Sequence, residues 1–170
     1  TFGAGTGAVQ VQAQRTDAGE TAVFTINAAA RTLAMVSGNN QNAATGAAFA
    51  APLVVQANLG GSPEAGVDIT WTTASGTISI TPTNPSDGAG QGSAQVTCGA
   101  TPEAFTVTAE LTSDPTQSVT FSGTCTLTRA LLVHDGNNQT AGIGTTLPLN
   151  LVVEAQDNGV GIDGVGIAFS

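Results

Sequence analysis

The chain has 170 residues, of which 41% are hydrophobic and 9% charged, so it can bury a core but cannot supply the charged faces of amphipathic helices. Its 12 acidic residues outnumber its 3 arginines, lysine is absent, and the formal net charge is −9. Proteins that hold nucleic acid or anionic membrane surfaces use Lys and Arg against the phosphates, so neither partner is expected. Threonine and valine are frequent in the apolar segments, and because β-branched residues favour strands, they predict an all-β fold.

The sequence carries no targeting or spanning signal. Its first residues, T-F-G-A-G-T-G, lack the basic start and apolar stretch of a signal peptide, so we expect a mature or internal segment. No run of about 18 or more apolar residues occurs, and membrane insertion by this segment is not expected.

The first elements in chain order are two strand-like runs. The pattern A-V-Q-V-Q-A-Q…A-V-F-T from Ala8 is similar to A-F-T-V-T-A-E…S-V-T-F from Ala104. Each pattern leads to an arginine, Arg31 or Arg129, before the next repeat begins. Residues 1–30 are therefore predicted to be the closing strands of one repeat.

The following residues predict seven short strands separated by turn clusters rich in Gly, Pro, Asn and Asp. In the third strand, Val67, Ile69 and Trp71 alternate onto one face. Seven short strands with an interior Trp on the third are typical of an immunoglobulin-like two-sheet sandwich. The predicted strands are Leu33–Ser37, Pro52–Leu59, Gly66–Thr73, Thr77–Thr81, Ser93–Cys98, Phe105–Thr112 and Ser118–Thr126.

Cys98 and Cys125 are the only cysteines, and both lie in strand-like runs. No CxxC motif or Cys/His cluster indicates metal or redox chemistry. We predict a disulfide between them, with two buried thiols as the alternative. The bond would close a loop of 125 − 98 = 27 residues, stabilise the fold by about 3–4 kcal/mol, and indicate an oxidising compartment.

A long internal repeat sets the domain organisation. The segment L-A-M-V-S-G-N-N-Q from Leu33 recurs as L-L-V-H-D-G-N-N-Q from Leu131, an offset of 131 − 33 = 98 residues that continues without a gap to the end of the chain. Phe169 occupies the position of Trp71, so both are predicted to mark the core. The predicted tandem units are 1–30 (closing strands), 31–128 (a complete sandwich) and 129–170 (opening strands).

The repeated motifs S-G-N-N-Q…P-L-V-V-Q-A, G-V-D-I-T-W and F-T-V-T-A…V-T-F resemble the bacterial immunoglobulin-like repeat of the invasin and intimin type. The resemblance covers essentially the whole chain, and the motifs are structural. It implies a spacer in the stalk of a large secreted or cell-surface protein, where other domains contact any host or cell-surface receptor. The neighbours of each unit would be further immunoglobulin-like repeats.

The residue patterns that carry chemistry are sparse. His134 is the only histidine and replaces Val36 of the other copy, which argues against a catalytic base. The loop with Asp157, Asn158 and Asp163 has oxygen ligands that suit Ca²⁺, but a glycine-rich β-turn is the favoured interpretation. Asp87-Gly88 is interpreted in the same way. We therefore predict no enzyme activity and no catalytic, cofactor-binding or metal-binding residue.

The sequence is compatible with two alternatives to a stalk segment. The chain could be a filament subunit in which the strands of 1–30 complete the strands of 129–170 in an adjacent chain. It could also be a module that binds a host protein or glycan through its loops, although it has no Tyr and only one Trp for an aromatic surface.

Overall fold

The computed structural model describes residues 7–170, and the regular elements in that range are all β-strands, which confirms the all-β prediction. No helix in the described range is long and apolar enough to cross a membrane. The first six residues of the predicted unit 1–30 lie outside the described residues. The strands are β1 (Gly7–Gln14), β2 (Thr21–Ala28), β3 (Arg31–Ser37), β4 (Gln41–Ala44), β5 (Leu53–Leu59), β6 (Ser62–Pro63), β7 (Ile69–Thr73), β8 (Ser79–Thr83), β9 (Gln91–Thr97), β10 (Glu103–Leu111), β11 (Asp114–Thr126), β12 (Arg129–Asp135), β13 (Val152–Asp157) and β14 (Val160–Gly161).

The strands form four sheets. One sheet has the order β3-β5-β9-β8, with β6 paired to β5, and a second has the order β4-β11-β10-β7. Side chains from these two sheets form one core, so together they make a β-sandwich, which we call the central sandwich. The hairpin β1-β2 precedes it, and the sheet β12-β13-β14 follows it.

The core of the central sandwich follows from residue alternation along its strands. In β5, Leu53, Val55 and Ala57 are buried, while the residues between them are partly exposed. Full burial of an aliphatic or aromatic side chain stabilises a fold by about 1.5–3 kcal/mol. The opposite sheet contributes the buried residues Phe105, Val107, Ala109, Leu111, Phe121 and Cys125.

The predicted third strand is shorter than expected because a loop holds its first residues. Val67 donates its N–H to the Ser86 hydroxyl and accepts a hydrogen bond from the Ser86 N–H, both at 2.9 Å. These bonds replace strand pairing, so β7 begins at Ile69.

The two predicted core markers lie in different environments. Trp71 is partly buried on the edge strand β7, and its ring stacks on Phe121 with the centroids 5.9 Å apart. Phe169 is 62% exposed, because residues 162–170 form no strand and no second sheet of described residues covers this side. Trp71 therefore packs against the core, and the assignment of Phe169 to a core stays a prediction.

Strand β4 was not predicted from the sequence. Its residues pair in parallel with β11, from Gln41 opposite Gly123 to Ala44 opposite Thr126. The other strand pairs of the four sheets are antiparallel. A four-residue segment of Gln, Asn and two Ala is too short to show an alternation that would mark it as a strand, and its partner lies about eighty residues away in sequence.

Strands β12 and β13 repeat the register of β3 and β5. Arg31 pairs with Leu59, and Arg129 pairs with Asp157. Both pairs of strands contain an irregularity at the same point, and each residue pair of β12-β13 lies 98 positions after its equivalent in β3-β5. The sequence offset is thus matched by an equal offset in backbone pairing.

Candidate functional site

A turn held by side-chain hydrogen bonds follows β3, the first strand of the central sandwich. This turn, residues 38–41, has Asn40 in the left-handed region at φ 56°. The Gln41 side chain donates from Nε2 to the carbonyls of Gly38 and Ala51, both at 2.8 Å, and its Oε1 accepts the Ala51 N–H at 3.0 Å. One glutamine therefore joins the two ends of the loop between β3 and β5.

The same turn recurs at residues 136–139. Asn138 has φ 56°, and Gln139 Nε2 donates to the carbonyls of Gly136 at 2.7 Å and Leu149 at 3.0 Å. Gln139 Oε1 accepts the Leu149 N–H at 2.7 Å. Each partner lies 98 residues after its equivalent, so the loop is built twice with one set of hydrogen bonds.

The turn of the central sandwich also binds the opposite sheet. The Asn40 N–H donates to the Ser122 carbonyl at 3.0 Å, and the Ser122 N–H donates to Asn39 Oδ1 at 2.8 Å. The N–H and the carbonyl of Ser122 in β11 are thus both hydrogen-bonded to the turn.

The disulfide between Cys98 and Cys125 is present in the structure. Cys98 directly follows β9, Cys125 lies in β11, and both are buried at 3% and 2% exposure. Because β9 and β11 belong to different sheets, the bond joins the two layers of the central sandwich covalently.

A side-chain clamp joins the central sandwich to the sheet that follows it. Asn158, in the turn between β13 and β14, accepts the Thr128 N–H at its Oδ1 and donates from Nδ2 to the Thr45 hydroxyl, both at 3.0 Å. Its own N–H donates to the Thr128 carbonyl at 2.7 Å. Thr45 follows β4, so one asparagine contacts the central sandwich, the connecting residue and the next sheet. We call this contact the Asn158 clamp.

The connection between the β1-β2 hairpin and the central sandwich has only the backbone hydrogen bond of this arrangement. Gly60 stands 98 residues before Asn158, and its N–H donates to the Ala30 carbonyl at 2.9 Å. Glycine has no side chain to form the other two bonds. The two connections therefore share a backbone bond but differ in side-chain attachment.

An ion pair holds β3, the first strand of the central sandwich, where the chain arrives from the β1-β2 hairpin. Arg31 donates from Nε and Nη2 to the two oxygens of Glu64, both at 2.7 Å, which is the bidentate geometry of a strong pair. The equivalent Arg129 lies 3.6 Å from Asp157 Oδ1 through Nε. The hydrogen bonds from Arg31 lower the pKa of the Glu64 carboxyl below its usual value.

Replacing Glu64 by Gln is expected to lower the free energy of unfolding by about 0.5–1 kcal/mol at pH 7, since the pair is partly exposed. A carboxyl with a lowered folded pKa stabilises the fold above its unfolded pKa of about 4.3, and that contribution is lost as the pH falls through the folded value. Urea unfolding of wild type and Glu64→Gln should therefore give a difference at pH 7 that shrinks toward pH 3. Asp68→Asn removes an exposed charge that has no ion pair among the described residues, and it should show no such difference. Equal effects of the two variants would contradict the role of Glu64.

The residues considered for chemistry do not converge on a site. His134 is exposed on β12, with its Nδ1 3.8 Å from Glu154 Oε2. Asp87 Oδ1 accepts the backbone N–H groups of Ala89 and Gln91, which is a turn-forming role. Within residues 7–170 no group of three or more His, Cys, Asp or Glu side chains could hold a metal ion. The polar side chains described above form hydrogen bonds to the backbone and to neighbouring strands.

Comparisons with known proteins add little to this description. No protein-family profile matches the chain, and no curated protein is significantly similar to it. A crystal structure of domains 4 and 5 of the S-layer protein SbsC is similar with a TM-score of 0.46 and 16% identity, covering 71% of this chain and 58% of that one. A structure of domains 4–9 of the surface layer protein SbsC gives a TM-score of 0.47 and 16% identity, covering 89% of this chain and 24% of that one. At this similarity the all-β assignment rests on the structure of the chain itself.

Proposed function

We propose that the chain is an extracellular structural segment in which successive immunoglobulin-like sandwiches are held end to end, as in the stalk of a bacterial surface protein. The observation that carries the proposal is the Asn158 clamp, placed between two copies of one strand arrangement 98 residues apart. A contact of this kind limits bending between neighbours, which an extended spacer requires.

The disulfide and the net charge of the chain support an extracellular location. The disulfide within the core is stable in an oxidising compartment. The high negative charge favours solubility and disfavours contact with anionic surfaces. Surface labelling of intact source cells with an antibody to residues 31–128 should detect the protein. Labelling that requires lysis would contradict the extracellular assignment.

The proposed role of the clamp predicts a change in motion between units. Replacing Asn158 by Gly keeps the left-handed turn but removes two side-chain hydrogen bonds, each worth about 0.5–1.5 kcal/mol net. Only the bond to Thr45 crosses to the central sandwich, so the population in which the last sheet is detached should rise about 2- to 13-fold for a loss of about 0.5–1.5 kcal/mol. Nitrogen-15 relaxation measures this, because attached units tumble together and detached units separately.

A matched control is available in the same segment. Asn138 also has a left-handed conformation, and its side chain forms no hydrogen bond to the central sandwich in the described structure. Asn138→Gly should leave the relaxation of β12 and β13 equal to that of the central sandwich. If Asn158→Gly leaves it equal too, the clamp does not orient the units and the stalk proposal loses its main support.

A further inference from the structure

The segment that follows β4 crosses from one sheet of the central sandwich to the other. Ala44, the last residue of β4, pairs with Thr126 of β11. Ala48 forms an isolated bridge to Thr97, the last residue of β9 in the opposite sheet. We call residues 45–47, which lie between these two pairs, the crossover segment. It belongs to no strand of the described structure, so its position depends on the two sheets at its ends.

The backbone of the crossover segment is anchored directly beside both cysteines. The Thr45 N–H donates to the Thr126 carbonyl at 2.9 Å, and Thr126 directly follows the cysteine of β11. The Gly46 N–H donates to the Gly99 carbonyl at 3.0 Å, and Gly99 directly follows Cys98. The Cys98 N–H in turn donates to the last carbonyl of the crossover segment at 2.9 Å. One anchor therefore lies on each side of the disulfide.

The disulfide fixes the spacing of these two anchors. It holds the Cα atoms of Cys98 and Cys125 5.6 Å apart, although one residue follows β9 and the other lies in β11 of the opposite sheet. The crossover segment spans the same gap, so its conformation depends on that distance. Among the described residues, Thr45 is the point of the central sandwich to which Asn158 is hydrogen-bonded. The covalent bond and the Asn158 clamp thus act on one segment.

The two connections of the chain differ in both features together. The cysteine of β11 stands four residues before Arg129, whereas the residue four positions before Arg31 is Asn27. Strand β2 contains no cysteine, so it cannot form an equivalent bond. The same connection has Gly60 at the position of Asn158. The disulfide and the side-chain clamp are therefore both present at one connection and both absent from the other.

From this arrangement we infer that the Cys98–Cys125 bond controls how firmly the next sheet is attached, because it holds the crossover segment where the Thr45 hydroxyl meets Asn158. The inference rests on the proposed function, in which the Asn158 clamp orients successive units. It adds that a bond inside one unit sets the stiffness of the contact between two units. Loss of the bond therefore loosens the connection even while the central sandwich stays folded.

A double-mutant cycle on the 170-residue chain tests the inference by nitrogen-15 relaxation. Cys98→Ala together with Cys125→Ala removes the bond, Asn158→Gly removes the clamp, and a combined variant removes both. Removal of the bond should raise the detached population by up to about 2- to 13-fold, the effect of losing the Thr45 hydrogen bond. In the Asn158→Gly background the same removal should add nothing, because the contact on which it acts is already gone.

Leu111→Ala controls for loss of stability as such. Leu111 is 0% exposed and lies at the end of β10 away from Glu103, the residue that pairs with Cys125. Truncation of a buried leucine costs a stability comparable to loss of the disulfide, but it should leave the attachment of the next sheet unchanged. All variants are measured in the same sucrose buffer, which favours the folded state, and Trp71 fluorescence reports that each central sandwich is folded.

The cycle separates failure of this inference from failure of the proposed function. If Asn158→Gly loosens the next sheet but removal of the disulfide does not, the inference is overturned and the stalk proposal stands. Effects that multiply in the combined variant, or equal loosening by Leu111→Ala, would also overturn the inference, since the bond would then act by another route. If Asn158→Gly itself has no effect, the clamp does not orient the units and both proposals fail.

Discussion

Removal of the Cys98–Cys125 bond is expected to lower the free energy of unfolding of the central sandwich by about 3.5 kcal/mol, the entropy of a closed loop of 27 residues. For a unit of about 100 residues, this corresponds to a fall in Tm of about 15–25 °C. The loss is large because the bond closes a loop of 27 residues and so restricts the unfolded chain.

Urea unfolding with and without reductant measures this effect, with the fluorescence of Trp71, the only tryptophan, as the signal. The double variant Cys98→Ala, Cys125→Ala should unfold like the reduced wild type and should not respond to reductant, since the chain has no other cysteine. A midpoint that does not move on reduction would show that the bond adds no stability.

Phe121→Ala is expected to destabilise the central sandwich by about 3–5 kcal/mol, the usual cost of truncating a buried Phe. Phe121 is 1% exposed and stacks on Trp71, so the deletion leaves a cavity between the sheets. Folded domains are stable by only about 5–15 kcal/mol, so much of the stability would be lost.

The matched variant is Phe24→Ala in β2. Phe24 occupies the equivalent position in the β1-β2 hairpin but is 58% exposed, so its truncation should change the stability of the central sandwich by less than about 0.5 kcal/mol. Circular dichroism should follow both unfolding curves, because Phe121 contacts the fluorescent Trp71. Similar losses in the two variants would contradict the assignment of Phe121 to the core.

Strands could be predicted from the sequence where apolar and polar residues alternate. Strands β5, β9, β10 and β11 carry buried residues at every second position, and their approximate positions were predicted. The short strand β4 could not be predicted, because its pairing depends on β11 and not on its own residues. Strand β7 begins three residues later than the sequence pattern predicts, because a local pattern does not show the hydrogen bonds between Val67 and Ser86.

The candidate site was predicted in part. The two cysteines and the repeated G-N-N-Q motif stood out because residue type and spacing were informative. The pattern around Asn158 indicates a turn or an oxygen ligand for Ca²⁺, and nothing in it indicates a contact with the central sandwich. The role of Asn158 depends on Thr45, 113 positions away, which no local pattern connects to it. The partnership of Arg31 with Glu64 also depends on the folded loop.

The most direct test of the account is to stretch the 170-residue chain by its two ends in a single-molecule force experiment. We expect one main unfolding event, from residues 31–128. Ninety-eight extended residues at about 3.5 Å each, less a folded length of about 40 Å, give a gain of about 300 Å under reducing conditions. With the disulfide intact, the 27 residues it encloses stay unextended, and the gain should fall to about 200 Å. A gradual extension without a discrete event, or a single gain that includes the flanking sheets, would contradict the view that residues 31–128 form one independent unit of an extended stalk.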